Sequence, residues 1–417
     1  MSMLEVWLRG DHVASLEQTR RGELRLRYTE HAITALGFGS VALSVALPVA
    51  RRHHGVPVEL WAECMLPEGE TRTAVEDRFG VRRGDTFALL EAIGADCAGA
   101  VSFLTEERTP NEQLAAATPL DESDLAQAIE DLPTRPLGVD DDVRVSLGGL
   151  QAKLLLVRLP DGRWARPTGG APSTHIAKPD PLGFPGLVVA EAFALALARA
   201  AGIEACDFEL ELDWGERPVL VLRRFDREVL GETVTRVHQE DGCAALGVNP
   251  ARLNKYQSMS PGSPSLARLA AVLSRHGTSR PSDLAALGRA ALLRVAVGDT
   301  DGHVRNYGLL HRGQTLALAP AYDVAPTSLF VSGKSVGLWV DGQSQLSFIT
   351  KGHLVRELTG WGLPARVADQ LVTETLTRLI DAVPAAQDAV PSADATVVEK
   401  VGARLLRLRD GTAEHRV

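Results

Sequence analysis

Three oxygen-bearing side chains in the last third of the chain have the types and spacing of a phosphoryl-transfer site. Asp301 and Asn306 lie in VGDTDGHVRNYGLL (297–310) as D-x-x-x-x-N, and Asp323 follows 17 residues after Asn306 in LAPAYDVAPT. Phosphoryl transfer needs one carboxylate to accept the attacking hydroxyl's proton, and an amide oxygen and a second carboxylate to hold magnesium. Two other readings compete. DTDG suggests a calcium loop, but with Asp299 as first ligand the twelfth position is Leu310 instead of the required Glu, which excludes it. Asp301 and Asn306 alone would serve equally well to cap and turn the end of an apolar helix, LAALGRAALLRVAV (284–297). Asp323 and features upstream favour catalysis.

The first such feature is SLGGLQAK, comprising Ser146, Leu147, Gly148, Gly149, Leu150, Gln151, Ala152 and Lys153. Its two glycines let backbone amides approach phosphate oxygens, and Lys153 adds charge. The stretch matches neither common phosphate-loop pattern, so a plain hairpin turn explains it as well. Its position ahead of Lys178, in HIAKP, raises its value. A strand lysine usually faces solvent, but Glu191 is the only charge in PGLVVAEAFALALA (185–198). A helix apolar on nearly every face is buried, and a buried carboxylate needs a partner. Lys178 is the natural candidate, because a Lys to helix-Glu pair positions the α- and β-phosphates in kinases. Ser146 is an ordinary turn serine on its own. In a phosphate-covering loop, a phosphate of about −1.5 to −2 charge added to it would repel ATP. The strand VLVLRRFDR (219–227) offers backbone groups of Arg223 and Phe225 to an adenine edge, or is simply a core strand with a charged end.

These residues require particular elements to position them. Residues 1–105 open with strand-like alternation (LEVWL, ELRLRY) and continue through MLPEGETRTAVEDRFG, turn chemistry followed by a helical pattern. Residues 106–142 carry one short helix between Pro-rich and acidic borders, as a linker does. Residues 143–235 read as β-rich: RVSL, KLLLVRL, the turn PDGR, WARP, THIAKP and RPVLVLRRF, with one helix ended by Gly202. Residues 236–417 turn helical apart from strands at GLLH and TLALA. HQEDGCAALG predicts a helix stopped at Gly247, and Ser282 is offered as the N-cap of the helix before the D-x-x-x-x-N stretch. DAVPAAQDAVPSADA reads as a loop before a last helix. The predicted fold is α+β: a kinase-like bilobal chain with a small β-rich lobe and a larger helical lobe, preceded by an N-terminal α/β subdomain. A cleft between unlike lobes is where a ligand is expected.

The composition bounds the function. At 417 residues, 45% hydrophobic and 23% charged, the chain has the makeup of a soluble globular protein of two or three domains. A net charge of −9 argues against a large nucleic-acid footprint of its own. Cys64, Cys97, Cys206 and Cys243 are scattered, with neither zinc-binding nor disulfide spacing. The start has no basic segment leading into an apolar stretch, and no apolar run approaches the ~20 residues of a membrane helix. The expected location is the cytoplasm.

Together, MLPEGE, VSLGGLQAK, THIAKP, LVLRRFDR, HQEDGCAALGV with KY shortly after, GDTDGHVRN and LAPAYDV resemble the HipA family of bacterial serine/threonine kinases, the toxin halves of HipBA-type toxin–antitoxin modules. The resemblance implies ATP and Mg2+ as cofactors, with Asp301 as catalytic aspartate and Asn306 and Asp323 as magnesium ligands. It makes Lys178 the ATP-phosphate lysine, 147–153 the phosphate loop and Ser146 the autophosphorylated serine; Arg223 and Phe225 hold adenine through their backbone. It further implies a protein substrate, aminoacyl-tRNA synthetases being among those of the family. A HipB-like helix-turn-helix antitoxin would be the partner, with DNA reached only through it and no membrane contact. QAK stands where the family often has QEK, and Arg223 where an acidic residue is common. Two other functions stay open: a non-catalytic partner of a DNA-binding repressor, and a kinase acting on a small metabolite.

Overall fold

The computed structural model describes residues 2–139, 143–147 and 151–413. The chain forms two compact units. Met1–Pro179, Glu211–Arg252 and Leu310–Gln314 make the first, and Asp180–Leu210, Leu253–Leu309 and Thr315–Val417 the second.

In the first unit, β1 (Ser2–Leu8), β2 (Asp11–Gln18), β3 (Leu24–Tyr28), β4 (Arg52–His54) and β5 (Val101–Leu104) form an antiparallel sheet ordered β4-β3-β2-β1-β5. The alternation read in the sequence is the cause. Leu4, Val6 and Leu8, and Leu24, Leu26 and Tyr28, are buried while their neighbours reach towards solvent. The short α1 (Glu30–Leu36) follows β3, and α2 (Val56–Cys64), α3 (Gly69–Phe79) and α4 (Thr86–Ile93) complete this part; α3 is the helix expected after MLPE.

A second sheet includes β6 (Thr118–Pro119), β7 (Leu154–Arg158), β8 (Trp164–Arg166), β9 (His175–Pro179) and β11 (Val219–Arg223), in the order β11-β9-β7-β8-β6. Its core joins Leu154, Leu156, Ala177, Val219 and Val221 to Leu125 and Ile129 of α5 (Glu122–Glu130), the helix expected between 106 and 142. Asp121 and Asp124 start α5 with a reciprocal capping box. RVSL does not become a ladder strand. Val145 makes a lone parallel bridge to Asp96, and the Ser146 N–H donates to the Asp96 carbonyl at 3.0 Å, so this segment lies against a loop. The hairpin β12 (Arg227–Leu230) and β13 (Thr233–Arg236), then β14 (Gln239–Asp241) and α7 (Gly242–Leu246), complete the unit; α7 stops at Gly247, as expected.

The strands β10 (Phe208–Glu211) and β15 (Gly308–Arg312) carry the chain from the second unit into the first. The second unit is built round α11 (Ala365–Ala389), which packs on α6 (Leu187–Ala200), α9 (Arg280–Val297), α10 (Lys351–Gly360) and α12 (Ala395–Arg409). α8 (Leu266–His276) and β16 (Thr315–Leu318) flank α9. As its all-round apolarity predicts, α6 is buried from Val188 to Ala198, Glu191 included.

Three local expectations are corrected here. α9 begins at Arg280 with Ser279 as N-cap, because Pro281 fits a first turn and the Asp283 carboxylate accepts the Ser279 N–H at 2.8 Å; Ser282 lies inside the helix. The segment read as a loop from 381 belongs to α11 as far as Ala389, with Pro384 inside the helix; burial of Ala382 and Ala386 compensates for its missing N–H. The hairpin β17 (Ser335–Val340) and β18 (Gln343–Gln345), unforeseen in the sequence, turns on Asp341 (φ 51°) and Gly342 (φ 75°), the left-handed pair of a type I′ turn. Among the described residues no helix is long and apolar enough to cross a membrane.

Candidate active site

The site in the second unit is built from the end of α9. Gly298 ends the helix in the left-handed region, at φ 85°. A Cβ there would meet the Arg404 Nη1 at 2.2 Å and the Ser328 Oγ at 2.5 Å, so only glycine lets the chain turn this sharply. The polar residues that follow are held by one buried side chain, Arg294, in the last turn of α9. Its Nη1 donates to the Asp299 Oδ2 (2.5 Å) and to the Asp323 carbonyl (2.9 Å). Its Nη2 donates to the carbonyls of Asn306 (2.7 Å) and Tyr322 (2.9 Å). One guanidinium therefore ties the 299–306 loop to the segment carrying Asp323, as its planar fork of donors allows.

Asp299, left without a role by its sequence context, acts on Asp301. Its Oδ1 accepts the Asp301 N–H at 2.9 Å. Burial pushes the Asp299 carboxyl up to about 7, opposed by the Arg294 guanidinium and reinforced by the charge of Asp301. The Asp301 carbonyl accepts the His303 N–H (2.6 Å) and the Asn306 Nδ2 (3.1 Å), so both faces of the Asp301 peptide are fixed. The Asn306 amide spends its NH2 group on that carbonyl and keeps its Oδ1 as an acceptor. Asp323 sits at φ 53°, a backbone conformation uncommon for a residue with a side chain and often found at functional positions.

Asp301 is exposed as a residue, yet protein atoms crowd its carboxyl group. Desolvation raises its pKa, the Tyr256 hydroxyl that donates to its Oδ1 lowers it, and the charge of Asp323 raises it again. Two carboxylates close enough to oppose each other's ionisation are the surroundings that a divalent cation relieves. Asn306 and Asp323 are the residues of this site that could hold such a cation. Behind them His303 is buried and meets the Tyr256 ring edge-on, with centroids 5.1 Å apart at 82°. Burial holds its imidazole well below the usual range, and therefore neutral. Arg305 contributes its backbone carbonyl, which accepts the Tyr322 hydroxyl at 2.8 Å.

Asp301, Asn306 and Asp323 thus come together in one unit, which also carries Glu191, buried in α6. The remaining residues singled out in the sequence lie in the first unit. Lys178 is buried on β9, across from Leu220 of β11. Arg223 ends β11 exposed, and Phe225 and Leu147 are half-buried. Gln151 and Ala152 precede Lys153, which is buried ahead of β7, while Gly148, Gly149 and Leu150 lie outside the described residues. Ser146 is fully buried, its Oγ donating to the Met65 carbonyl at 2.5 Å.

Beside Ser146 is a buried ion network that the sequence reading missed. Arg224 grips Asp226 through Nε (2.9 Å) and Nη2 (2.8 Å), and its Nη1 reaches the Ser173 Oγ at 2.7 Å. Arg227 reaches the Asp96 Oδ1 at 2.8 Å, with Arg236 at 3.5 Å from the same atom. Burial alone would raise the Asp96 carboxyl, but Arg227, Arg224 and Arg236 outweigh it and hold that group far below the usual carboxylate range. In RRFDR, Arg224, Asp226 and Arg227 are thus structural, flanking the backbone of Phe225.

Comparison with known proteins shows the family and the fold. Residues 4–104 match the HipA N-terminal domain family and residues 145–385 the HipA-like C-terminal domain family. Y4mE of Sinorhizobium fredii, provisionally named a kinase, is 35% identical over 340 residues, covering 78% of this chain and 77% of its own length. The serine/threonine-protein kinase toxin HipA of Shewanella oneidensis is 27% identical over 361 residues, 82% of this chain and 79% of its own. The solved structure of that organism's HipA, in a complex with HipB and operator DNA, superposes with a TM-score of 0.82 at 24% identity, over 98% of this chain and 96% of that one. The α+β fold is therefore that of HipA.

Proposed function

Because the chain belongs to the HipA family and is a serine/threonine protein kinase, we propose that it uses ATP and magnesium to phosphorylate a hydroxyl of a protein in the translation machinery, such as an aminoacyl-tRNA synthetase, acting as the toxin of a toxin–antitoxin pair in the cytoplasm. The observation that carries this reading is the Arg294 hub, which fixes Asp301, Asn306 and Asp323 relative to one another. Asp301 accepts the proton of the attacking hydroxyl, and Asn306 and Asp323 hold the metal. When bound, magnesium neutralises the charge on the transferred phosphoryl group. On the nucleotide side the reading assigns residues 146–153, Lys178, Glu191, Arg223 and Phe225 to ATP.

Autophosphorylation of Ser146 belongs to the proposal, with a physical condition attached. Its hydroxyl is buried on the Met65 carbonyl, so the segment must leave that contact to be modified, and a dianionic phosphate could not return to it. The partner is a HipB-like helix-turn-helix protein, as the Shewanella complex of HipA, HipB and operator DNA suggests by analogy. That partner would supply the DNA contacts for which a net charge of −9 leaves this chain unsuited.

Labelled ATP tests the reading. The purified chain, incubated with magnesium and a nucleotide-free cell extract, should place γ-phosphate on serine or threonine of a small set of proteins, and Asp323→Ala should not. Label transferred equally well by that variant, or only to small molecules, would overturn it.

A further inference from the structure

We propose that Tyr256 gates Asp301: its phenol occupies Oδ1 of the carboxylate, the oxygen this proposal assigns to the substrate hydroxyl, and keeps water from that place until a protein substrate displaces it. The inference rests on the reading of Asp301 as proton acceptor. Among the described residues the Tyr256 hydroxyl is the side-chain donor on the Asp301 carboxylate, at Oδ1. The Asp301 backbone does not need it, being fixed already by Asp299, His303 and Asn306.

The placement of Tyr256 is built in. The next residue, Gln257, is pinned to β17 on both sides: its N–H donates to the Gly337 carbonyl (2.9 Å) and its Oε1 accepts the Trp339 N–H (2.8 Å). β17 in turn lies directly on the Gly302–His303 backbone, so close that a Cβ on Gly337 would come within 2.7 Å of it. The ring of Tyr256 rests edge-on against His303. With the backbone so anchored, rotation of the half-exposed tyrosine side chain is the way for its hydroxyl to leave.

The block has a chemical purpose. A water in that place would bond its oxygen to the γ-phosphorus of ATP as the bond from that phosphorus to the β–γ bridging oxygen breaks. Its proton would pass to Asp301, and ADP and phosphate would be released. A serine or threonine hydroxyl makes and breaks the corresponding bonds and yields a phosphoester. An acceptor site already filled by a phenol favours the acceptor whose other contacts help it to compete, and a protein has such contacts while water has none.

The test is Tyr256→Phe, which removes one oxygen and keeps the ring on His303. Phosphate release from ATP and magnesium without acceptor should rise about tenfold, the factor set by loss of one charge-assisted hydrogen bond. Transfer of label to proteins of a nucleotide-free cell extract should stay within a few-fold of wild type, so the ratio of hydrolysis to transfer climbs while the melting temperature holds. Tyr256→Leu should shift the ratio the same way. Hydrolysis and transfer falling together, or hydrolysis unchanged, would make Tyr256 a support for Asp301 and overturn the gate, as would phosphate on Tyr256 itself. A wild-type protein that neither hydrolyses nor transfers would instead defeat the kinase reading, and the gate with it, before any substitution is made.

Discussion

Gly337 bears no functional group and lies 36 residues beyond Asp301, yet replacing it with alanine should nearly stop catalysis. The new methyl would lie 2.6 Å from the Gly302 carbonyl carbon and 2.7 Å from both the Gly302 oxygen and the His303 nitrogen. Ordinary contact begins near 3.4 Å, so one backbone must retreat by roughly 0.8 Å. β17 is held by Gln257 and by its hairpin partner β18, and the 301–303 loop by Asp299 and Asn306, so the displacement is shared between them and shifts Asp301. Misplacing a reacting group by about 1 Å costs about 10²-fold, whereas overpacking of this kind costs about 1–3 kcal/mol of a stability of about 5–15 kcal/mol. Gly337→Ala should therefore fold, melt a few degrees lower and show kcat reduced about 30- to 100-fold at saturating ATP. The assay is the initial rate of γ-phosphate transfer, paired with a thermal melt by circular dichroism. Gly333→Ala, whose methyl would enter open space, is the control and should behave as wild type. A Gly337→Ala protein with kcat within threefold of wild type would refute the reasoning, because the loop would then not be held where the geometry requires.

The other predictions concern the first unit. Asp96→Asn leaves Arg227, Arg224 and Arg236 without their shared buried carboxylate and should cost about 3–5 kcal/mol, read as a lower urea midpoint; an unchanged midpoint would show that the network does not hold the unit. His238 is buried against the His311 ring, with Glu240 and Arg9 nearby; burial first, then the charge of His311, pushes its pKa from 6.5 down to about 3. The unfolded chain therefore binds this proton more readily than the folded one. Stability is full above about pH 6.5 and falls as pH drops, by about 2 kcal/mol from this group between pH 7 and 5. Urea titrations should show that loss in wild type and a smaller one in His238→Gln, and equal pH slopes would count against it.

How far the sequence could be read depended on whether a feature was local. D-x-x-x-x-N with a later aspartate is a local pattern of chemical types, and the three residues do meet in one unit. The all-apolar helix with one carboxylate announced that Glu191 would be buried, and it is. The same logic was available for Arg294, the lone charge in AALLRVAV, and would have found the hub. The β17–β18 turn was also legible, because Asp-Gly between apolar and polar runs is a hairpin signal. Other features were not open to local reading. Asp96 sits in GADCAG with no pattern around it, and its arginine partners lie more than 120 residues away. Pro384 looked like a break because propensity is local, while the packing of Ala382 and Ala386 that sustains α11 is not. Tyr256 had only its place in KY to mark it; its contact with Asp301 depends on the β17 anchor.

The central claim is that Asp301 accepts the proton in a phosphoryl transfer. The most direct measurement is a single-turnover assay with γ-labelled ATP and magnesium, comparing wild type with Asp301→Ala at matched nucleotide occupancy. A positioned base contributes about 10²- to 10⁴-fold, so the variant should bind ATP and keep its melting temperature while transferring label at least about 100-fold more slowly. Equal rates of label transfer by the two proteins would contradict the account.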